Sequence, residues 1–232
     1  MPAIREDERL TSFAERGFAI VDEMISPELV GVLREEADRV FAISRSRGGA
    51  RNLLHRSDRL TALAQDGLPF EVAKRVLGSE AQPTKLTLFN KTAEANWLIR
   101  WHQDATITVR ERRELAGYSG WSVKEGVVHV HPPAEVLGKI LAIRLHLDDT
   151  PADNGALRVL PGSHRLGLVS REEIGRLREE IPEKVCEVPC SGMMIMSPLL
   201  LHASAKTSSP GNRRVLHFEY SAEPPGSGLE WA

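Results

Sequence analysis

The sequence predicts a mainly β chain with flanking helices, built as one domain around a double-sheet jelly-roll core. Three observations carry this. Helical spacing gives way to short β-rich runs at Pro83, turn signals separate those runs, and a helical insert, Arg171–Glu180, is lodged between two of them. Many short strands with long returns suit a double-sheet jelly roll better than an up-and-down barrel. The expected layout is a single domain over residues 1–232, with 1–80 as a mostly helical supporting layer and 83–222 as the core.

Each element has a local reason. Residues 5–16 place Leu10, Phe13 and Ala14 on one face among charges, the pattern of a surface helix. Gly17 ends it, and Phe18–Val21 is a short apolar strand. Ser26-Pro27-Glu28 supplies a helix cap, a proline at the first helical position and an acid in the first turn. Leu29, Val30, Leu33, Ala37, Val40 and Phe41 then continue at helical spacing. Residues 44–50 form a polar break. Residues 59–77 are expected to be helical, interrupted near Gly67-Leu68-Pro69. Beyond Pro83, strands are expected over 85–89, 97–109, 127–130, 140–147, 156–160, 187–188, Met193–Met196 and 213–220. Asp153-Asn154-Gly155, Pro161-Gly162, Ser191-Gly192 and Pro210-Gly211-Asn212 mark the turns between them.

Composition narrows the function. With 41% hydrophobic and 27% charged residues, the chain has an ordinary globular composition. Its formal net charge of -2 argues against a nucleic-acid or membrane-surface partner, so a small-molecule substrate is expected. Apolar runs such as 199–201 are far too short to span a bilayer. The charges directly after Met1-Pro2-Ala3-Ile4 predict no secretory signal, and a cytoplasmic location is expected from that. Cys186 and Cys190 form no disulfide framework and are expected to be free thiols. The oligomeric state is not legible.

The chemistry starts at His102-Gln103-Asp104. On a strand, residues i and i+2 share a face, so an imidazole and a carboxylate project together while Gln103 points away. A third ligand would come from far along the chain, and His202 comes directly after the strand-like run Pro198-Leu199-Leu200-Leu201. Two histidines and one carboxylate on an octahedral ion leave three positions open, as an oxygenase requires. An HxD triplet alone arises easily by chance among eight histidines and 32 acids. The strand downstream of His202 adds weight. Asn212–Tyr220 carries Arg213 and Arg214, and an arginine fork suits the remote carboxylate of a dicarboxylate. Successive strand residues face opposite ways, so one of the two arginines is a surface charge.

Phe89-Asn90-Lys91, Trp101-His102-Gln103-Asp104, Leu145-His146-Leu147-Asp148-Asp149, Asn154-Gly155-Ala156-Leu157 with Pro161-Gly162-Ser163-His164, and Leu201-His202 with Asn212-Arg213-Arg214 together resemble one family. It is the phytanoyl-CoA dioxygenase family of iron(II)/2-oxoglutarate oxygenases, in particular its small bacterial members. The resemblance implies a double-stranded β-helix core of the cupin-like jelly-roll type. It implies Fe(II) held by His102, Asp104 and His202, 2-oxoglutarate as co-substrate, and O2 as oxidant. The distal carboxylate of 2-oxoglutarate would fall to Arg213 rather than Arg214. Thr87 and Lys91 lie on the strand where similar proteins contact the co-substrate. Arg144 stands where many relatives carry a tryptophan beside it. Ala142, Arg144 and His146 also share a strand face, where polar groups inside a barrel need partners. Arg144 is thus open between a ligand contact and a structural ion pair. The implied reaction is hydroxylation of a substrate C–H bond with release of succinate and CO2. Related halogenases lack the carboxylate, so an intact Asp104 favours hydroxylation.

Other readings stay open at this stage. The chain could bind iron and 2-oxoglutarate as a non-catalytic sensor, act as a cupin-like metalloenzyme without 2-oxoglutarate, or be a purely structural jelly roll. His164 reads as a loop tie, His129 and His131 as a pocket-rim pair, and Trp97, Trp101 and Trp121 mostly as core. Asn154-Gly155 and Pro161-Gly162 read as turn chemistry. Residues 106–133 are expected to form much of a pocket lid, in which Arg110, Arg112, Arg113 and Lys124 could meet an anionic substrate but are read first as a solvated face. The Pro/Gly-rich tail, 223–228, is expected either to cover the site mouth or to trail.

Overall fold

In the computed structural model of the chain, described for residues 6–22, 24–44, 48–208 and 211–232, helices come first. They are α1 (Glu6–Arg16), α2 (Pro27–Ser44), α3 (Asp58–Asp66) and α4 (Leu68–Leu77), with strands β1 (Phe18–Val21) and β2 (Gly49–Ala50) between them. The core continues as β3 (Gln82–Lys91), β4 (Ile99–His102), β5 (Ile107–Val109), β6 (Ser119–Lys124), β7 (Val127–His131), α5 (Ala134–Leu137) and β8 (Ile140–His146). It closes with β9 (Leu157–Val159), α6 (Arg171–Glu180), β10 (Lys184–Cys186), β11 (Met193–Met196), β12 (His202–Ser204) and β13 (Arg213–Ser221). The expectation of no leader at Met1–Arg5, the side chain of Leu10 and Pro210 lie outside the described residues or side chains.

The strands form three antiparallel sheets. The major sheet runs β1-β11-β8-β13-β3-β2, the minor sheet β10-β9-β12-β4, and a small third sheet β5-β7-β6. Alternation along the central strands of the major sheet decides what each face does. Leu86, Leu88, Leu141, Ile143, Leu145, Leu216, Phe218 and Tyr220 point outward into a core completed by Leu33, Ala37, Leu60 and Ala73 from the helices. Their in-between neighbours point into the jelly roll. At one end this interior is apolar, where Phe18, Ala142, Leu157, Val159 and Met194 fill the gap between the two sheets. The helical layer thus buries one face of the major sheet so that the opposite face can carry polar groups. This double cover explains why every residue of β8 is buried.

Most expected elements are present, including the helix break at Gly67 and the insert α6. The differences have physical causes. The expected strand 97–109 is two strands, because the chain leaves the minor sheet after His102 and enters the third sheet at Ile107. Residues 198–201 form a turn, with Leu200 N–H bonded to Ser197 O at 3.0 Å, and the strand begins at His202 itself. β6 was not foreseen. Its glycine and its exposed residues hide it, and only pairing with β7 makes it a strand. The expected strand at 187–188 is instead β10 just upstream, with Val188 in an isolated bridge to Thr150.

The tail joins the lid. Trp231 bridges Val109, Leu229 is buried against Ile107 and Val130, and the Tyr118 hydroxyl donates to Pro225 O. Arg110, Arg112 and Arg113 pair with Glu230, Glu114 and Glu111 on the exposed face. Only Lys124 of the four lid cations lines the central cavity.

Candidate metal centre

Strand register brings the first two ligand candidates together. His202 of β12 lies opposite His102 of β4 as a cross-strand pair, and their ring centroids are 4.2 Å apart. Asp104 lies beyond the end of β4, so strand alternation does not place it. Its backbone N–H donates to Pro198 O at 2.9 Å, which turns the carboxylate back toward the imidazoles. Asp104 Oδ1 is 3.6 Å from His102 Nε2 and Oδ2 is 3.7 Å from His202 Nε2. Gln103 does point away. Its amide donates to Gly167 O and Leu199 O, both at 2.7 Å, and accepts from Val169 N–H.

The donor set fits a divalent transition metal. His102 Nδ1 is bonded to Arg100 O at 2.9 Å and His202 Nδ1 to Leu200 O at 2.8 Å. A carbonyl can only accept, so each Nδ1 carries a proton and each Nε2, turned toward Asp104, is the nitrogen left for a metal. One donor atom from each of the three residues lies within 4.8 Å of the others. Among the described residues this is the only such cluster of histidine, cysteine and acidic side chains. Burial raises the Asp104 carboxyl, but the imidazoles of His202, His102 and His217 outweigh it and hold it well below the ordinary range. Burial pushes His202 down to about 4, so its ring is neutral. Burial lowers His102 as well, but hydrogen bonding to Asp104 and its charge outweigh burial and raise it, so a metal ion would compete with a proton for that nitrogen.

A cavity of about 460 Å³ opens in front of the triad, a volume typical of small-molecule sites. Its floor is a ladder laid across β3, β13 and β8. The inward rungs are Lys91 with Arg213, then Phe89 with Val215 and His146, then Thr87 with His217 and Arg144, and finally Lys85 with Glu219 and Ala142. At one end stand cations without counter-anions. Arg213 is 1% exposed, its Nε has no partner, and it forms no salt bridge among the described residues. Burial first, then Arg144, pushes it down to about 9. Lys91 is fully buried, donating to Ser204 Oγ at 2.9 Å and Ala205 O at 2.6 Å. Burial, then Arg213 and Arg144, lowers it to about 7. Arg144 is buried as well and hydrogen-bonded to His217 Nδ1 at 3.2 Å, with its Nε unpartnered. Among the described residues it forms no salt bridge, although the Asp104 carboxylate raises its pKa against its burial.

Of the expected residues, Thr87, Arg144 and Arg213 line the cavity with the triad, and Lys91 sits directly behind Arg213. Arg214 points outward to Asp148 and Asp38. Gly155 has a second use beyond its φ of +66°, since a Cβ there would stand 3.1 Å from Lys91 Nζ. His129 is buried and lines the cavity, whereas His131 is exposed. Trp97 lies against Lys91, Trp101 packs with α6, and Trp121 belongs to the lid cluster. Both cysteines are free. Four residues went unforeseen. Ser204 could have been found as the i+2 neighbour of His202, and Glu219 with His217 as inward positions of β13. Lys85 had no signal before register was known.

Comparison with known proteins gives the family and the fold. The family profile described as phytanoyl-CoA dioxygenase (PhyH) matches residues 13–215. Ectoine dioxygenase of Nocardia farcinica is 24% identical over 198 residues, covering 78% of this chain and 59% of the relative's length. The chain thus spans less than two thirds of that relative. Among solved structures, the epimerase SnoN in complex with Fe3+, alpha ketoglutarate and nogalamycin RO aligns with a TM-score of 0.72. It has 16% identity and covers 97% of this chain and 92% of its own. EctD from S. alaskensis with 2-oxoglutarate and 5-hydroxyectoine aligns with a TM-score of 0.69 at 17% identity, covering 92% of this chain and 75% of its own. At these identities the structural likeness is one of fold, the jelly-roll double-stranded β-helix. With a profile match that runs through the metal cluster and almost to the end of the core, the chain belongs to the phytanoyl-CoA dioxygenase (PhyH) family.

Proposed function

We propose that the protein is a non-haem Fe(II)- and 2-oxoglutarate-dependent dioxygenase that hydroxylates a C–H bond of a small organic substrate. The observation that carries the reading is the pairing of a two-histidine, one-carboxylate cluster with buried guanidinium and ammonium groups that lack an anion. A buried unpaired cation is costly, and a dicarboxylate bound between Arg213 and the metal would relieve it. A metalloenzyme that used no such co-substrate would leave Arg213 uncompensated.

His102, Asp104 and His202 would hold the iron on one face. Iron loaded with 2-oxoglutarate and O2 supplies the oxidising power, releasing succinate and CO2. The chain's own groups do the rest. Arg213 receives the distal carboxylate as a fork, with Lys91 reinforcing the positive field behind it. Thr87 and Arg144 border the chelating end. The backbone carbonyls of Arg100 and Leu200 keep both imidazoles in the metal-binding tautomer. The lid sheet and the tail exclude water from one side. The residue types of the ladder suit a soluble ligand, and no helix among the described residues is long and apolar enough to cross a membrane.

The test is an anaerobic titration of apo-protein with Fe(II) and 2-oxoglutarate, reading the visible charge-transfer band of the chelate. A band that needs both components, and is absent in His202→Ala, is the expected result. A tight complex with another metal and no band would overturn it. Replacing His102 or Asp104 by Ala should abolish succinate formation coupled to substrate; its persistence in either variant would refute the ligand assignment.

A further inference from the structure

The ladder is longer than its proposed co-substrate. From the Arg213–Lys91 rung to the Glu219–Lys85 rung is six residues along β13, roughly 20 Å at the rise of an antiparallel strand. A five-carbon dicarboxylate held at Arg213 and chelated at the triad cannot extend that far. Asp104 and the groups of one end, His217, Lys85 and Glu219, feel one another, Arg213 acts on Lys91 at the other, and Arg144 is felt at both. The triad, the Arg213 rung and the Glu219–Lys85 rung all line one cavity, and with the co-substrate spanning Arg213 and the triad the second end is left without a ligand.

That second end is built. His129, on β7, is 3% exposed and lines the cavity, and neither of its ring nitrogens has a hydrogen-bond partner. Around it lie three cations, Lys85, Lys124 and Arg51, and one carboxylate, Glu219. Lys85 and Glu219 satisfy each other at 2.7 Å. Glu125 faces Arg51 at a loose 3.6 Å while holding Arg56 at 2.8 Å. Lys124 forms no salt bridge among the described residues. With Lys85 paired to Glu219 and Arg51 only loosely faced by Glu125, the positive charge left over at this end is that of Lys124. Burial and these cations keep His129 neutral, lowered to about 4, so it offers one N–H donor and one acceptor.

We infer that this end of the cavity is the substrate subsite and that it takes a small organic anion, a carboxylate. Its charge would be met by Lys124 and Arg51, and His129 would donate the hydrogen bond that orients it. The inference rests on the proposed iron and 2-oxoglutarate loading, because the far end is free only if the co-substrate occupies the near one. A cationic ligand is disfavoured by Lys124 and by the loosely held Arg51. A fully apolar ligand would leave His129 unpartnered, at a cost of about a hydrogen bond.

The test uses a matched probe series on one carbon chain: hexanoate, hexanamide and hexylamine. Each is titrated anaerobically into protein loaded with Fe(II) and 2-oxoglutarate. Binding is read by calorimetry and by perturbation of the charge-transfer band. Hexanoate is expected to bind at least tenfold more tightly than hexylamine, with hexanamide between them. Lys124→Glu, an exposed change with little folding risk, is expected to weaken hexanoate roughly tenfold, as reversal of one nearby charge should, and to improve hexylamine. His129→Leu should bring hexanoate and hexanamide closer together. An intact band with no preference for hexanoate, or a preference that Lys124→Glu leaves unchanged, would overturn the subsite while the proposed function stands. If no band forms, the proposed function fails and this subsite fails with it.

Discussion

Arg213 and Arg214 are neighbours in sequence with opposite fates. The strand pleat turns one into the cavity without an anion and the other onto Asp148, where its guanidinium is 3.2 Å from Oδ1. Removing the inward one should therefore act on the co-substrate alone. Arg213→Ala is expected to raise the 2-oxoglutarate requirement by about 100-fold, the loss typical of one partner of a buried charge pair, with Fe(II) affinity intact. Arg214→Ala should leave that requirement unchanged. Steady-state kinetics at saturating iron separate the two. Lys91 adds a pH dependence. Its pKa is depressed to about 7 by burial and by Arg213 and Arg144, and an arriving dicarboxylate would raise it again. Near pH 8 the free site has released this proton and the bound site has taken it up. Co-substrate affinity should thus fall as pH rises above about 7, and calorimetry in buffers of different ionisation enthalpy should register proton uptake. Lys91→Met should flatten the profile. The same depression works against folding while the unfolded lysine is protonated. This cost is fully present below about pH 7 and fades as pH rises toward the ordinary lysine value.

At the scale of elements, the site depends on short connections that leave their strands at the right residue. β4 ends at His102, and Gln103 then spans outward to three backbone groups of the 167–169 loop and Leu199. Gln103→Leu would leave those groups unpaired, at a cost of roughly 2–3 kcal/mol, and would free Asp104 to swing. A lower melting temperature together with weaker iron binding is expected; a variant with wild-type values of both would show that Asp104 is held by the Pro198 carbonyl alone. The turn before β9 is as tightly specified. Gly155→Ala places a side chain on a left-handed backbone, costing about 1–2 kcal/mol, and crowds Lys91 Nζ. Loss of stability should come with a higher 2-oxoglutarate requirement.

For the whole molecule, the helical layer and the jelly roll are one energetic unit. Phe218 is fully buried between β13 and the helices and does not line the cavity. Phe218→Ala is expected to cost about 3–5 kcal/mol in denaturant unfolding, while the charge-transfer band of the protein that stays folded keeps its position. The lid is a separate cluster tied down by Leu229 and Trp231. Its exposed face relies on arginine–glutamate pairs that contribute little individually, so the tail's apolar contacts should dominate its order.

Local patterning accounts for the alternation that makes one face of the major sheet apolar, the helix boundaries at Gly17, Ser26 and Gly67, and the candidates His102, Asp104 and His202. These are properties of period, turn chemistry and motif. The resemblance to the family was likewise legible in the motifs, and it was the resemblance that chose Arg213 over Arg214. Which residues meet is a matter of long-range pairing. Register places His202 opposite His102, a backbone bond to Pro198 turns Asp104 back to them, and pairing of β3 with β13 sets Lys85 beside Glu219. Long-range pairing also set Arg144 beside His217 and put His129, but not His131, in the cavity. Pairing across a hundred residues leaves no local trace, because a strand's own pattern is the same in whatever register it is laid.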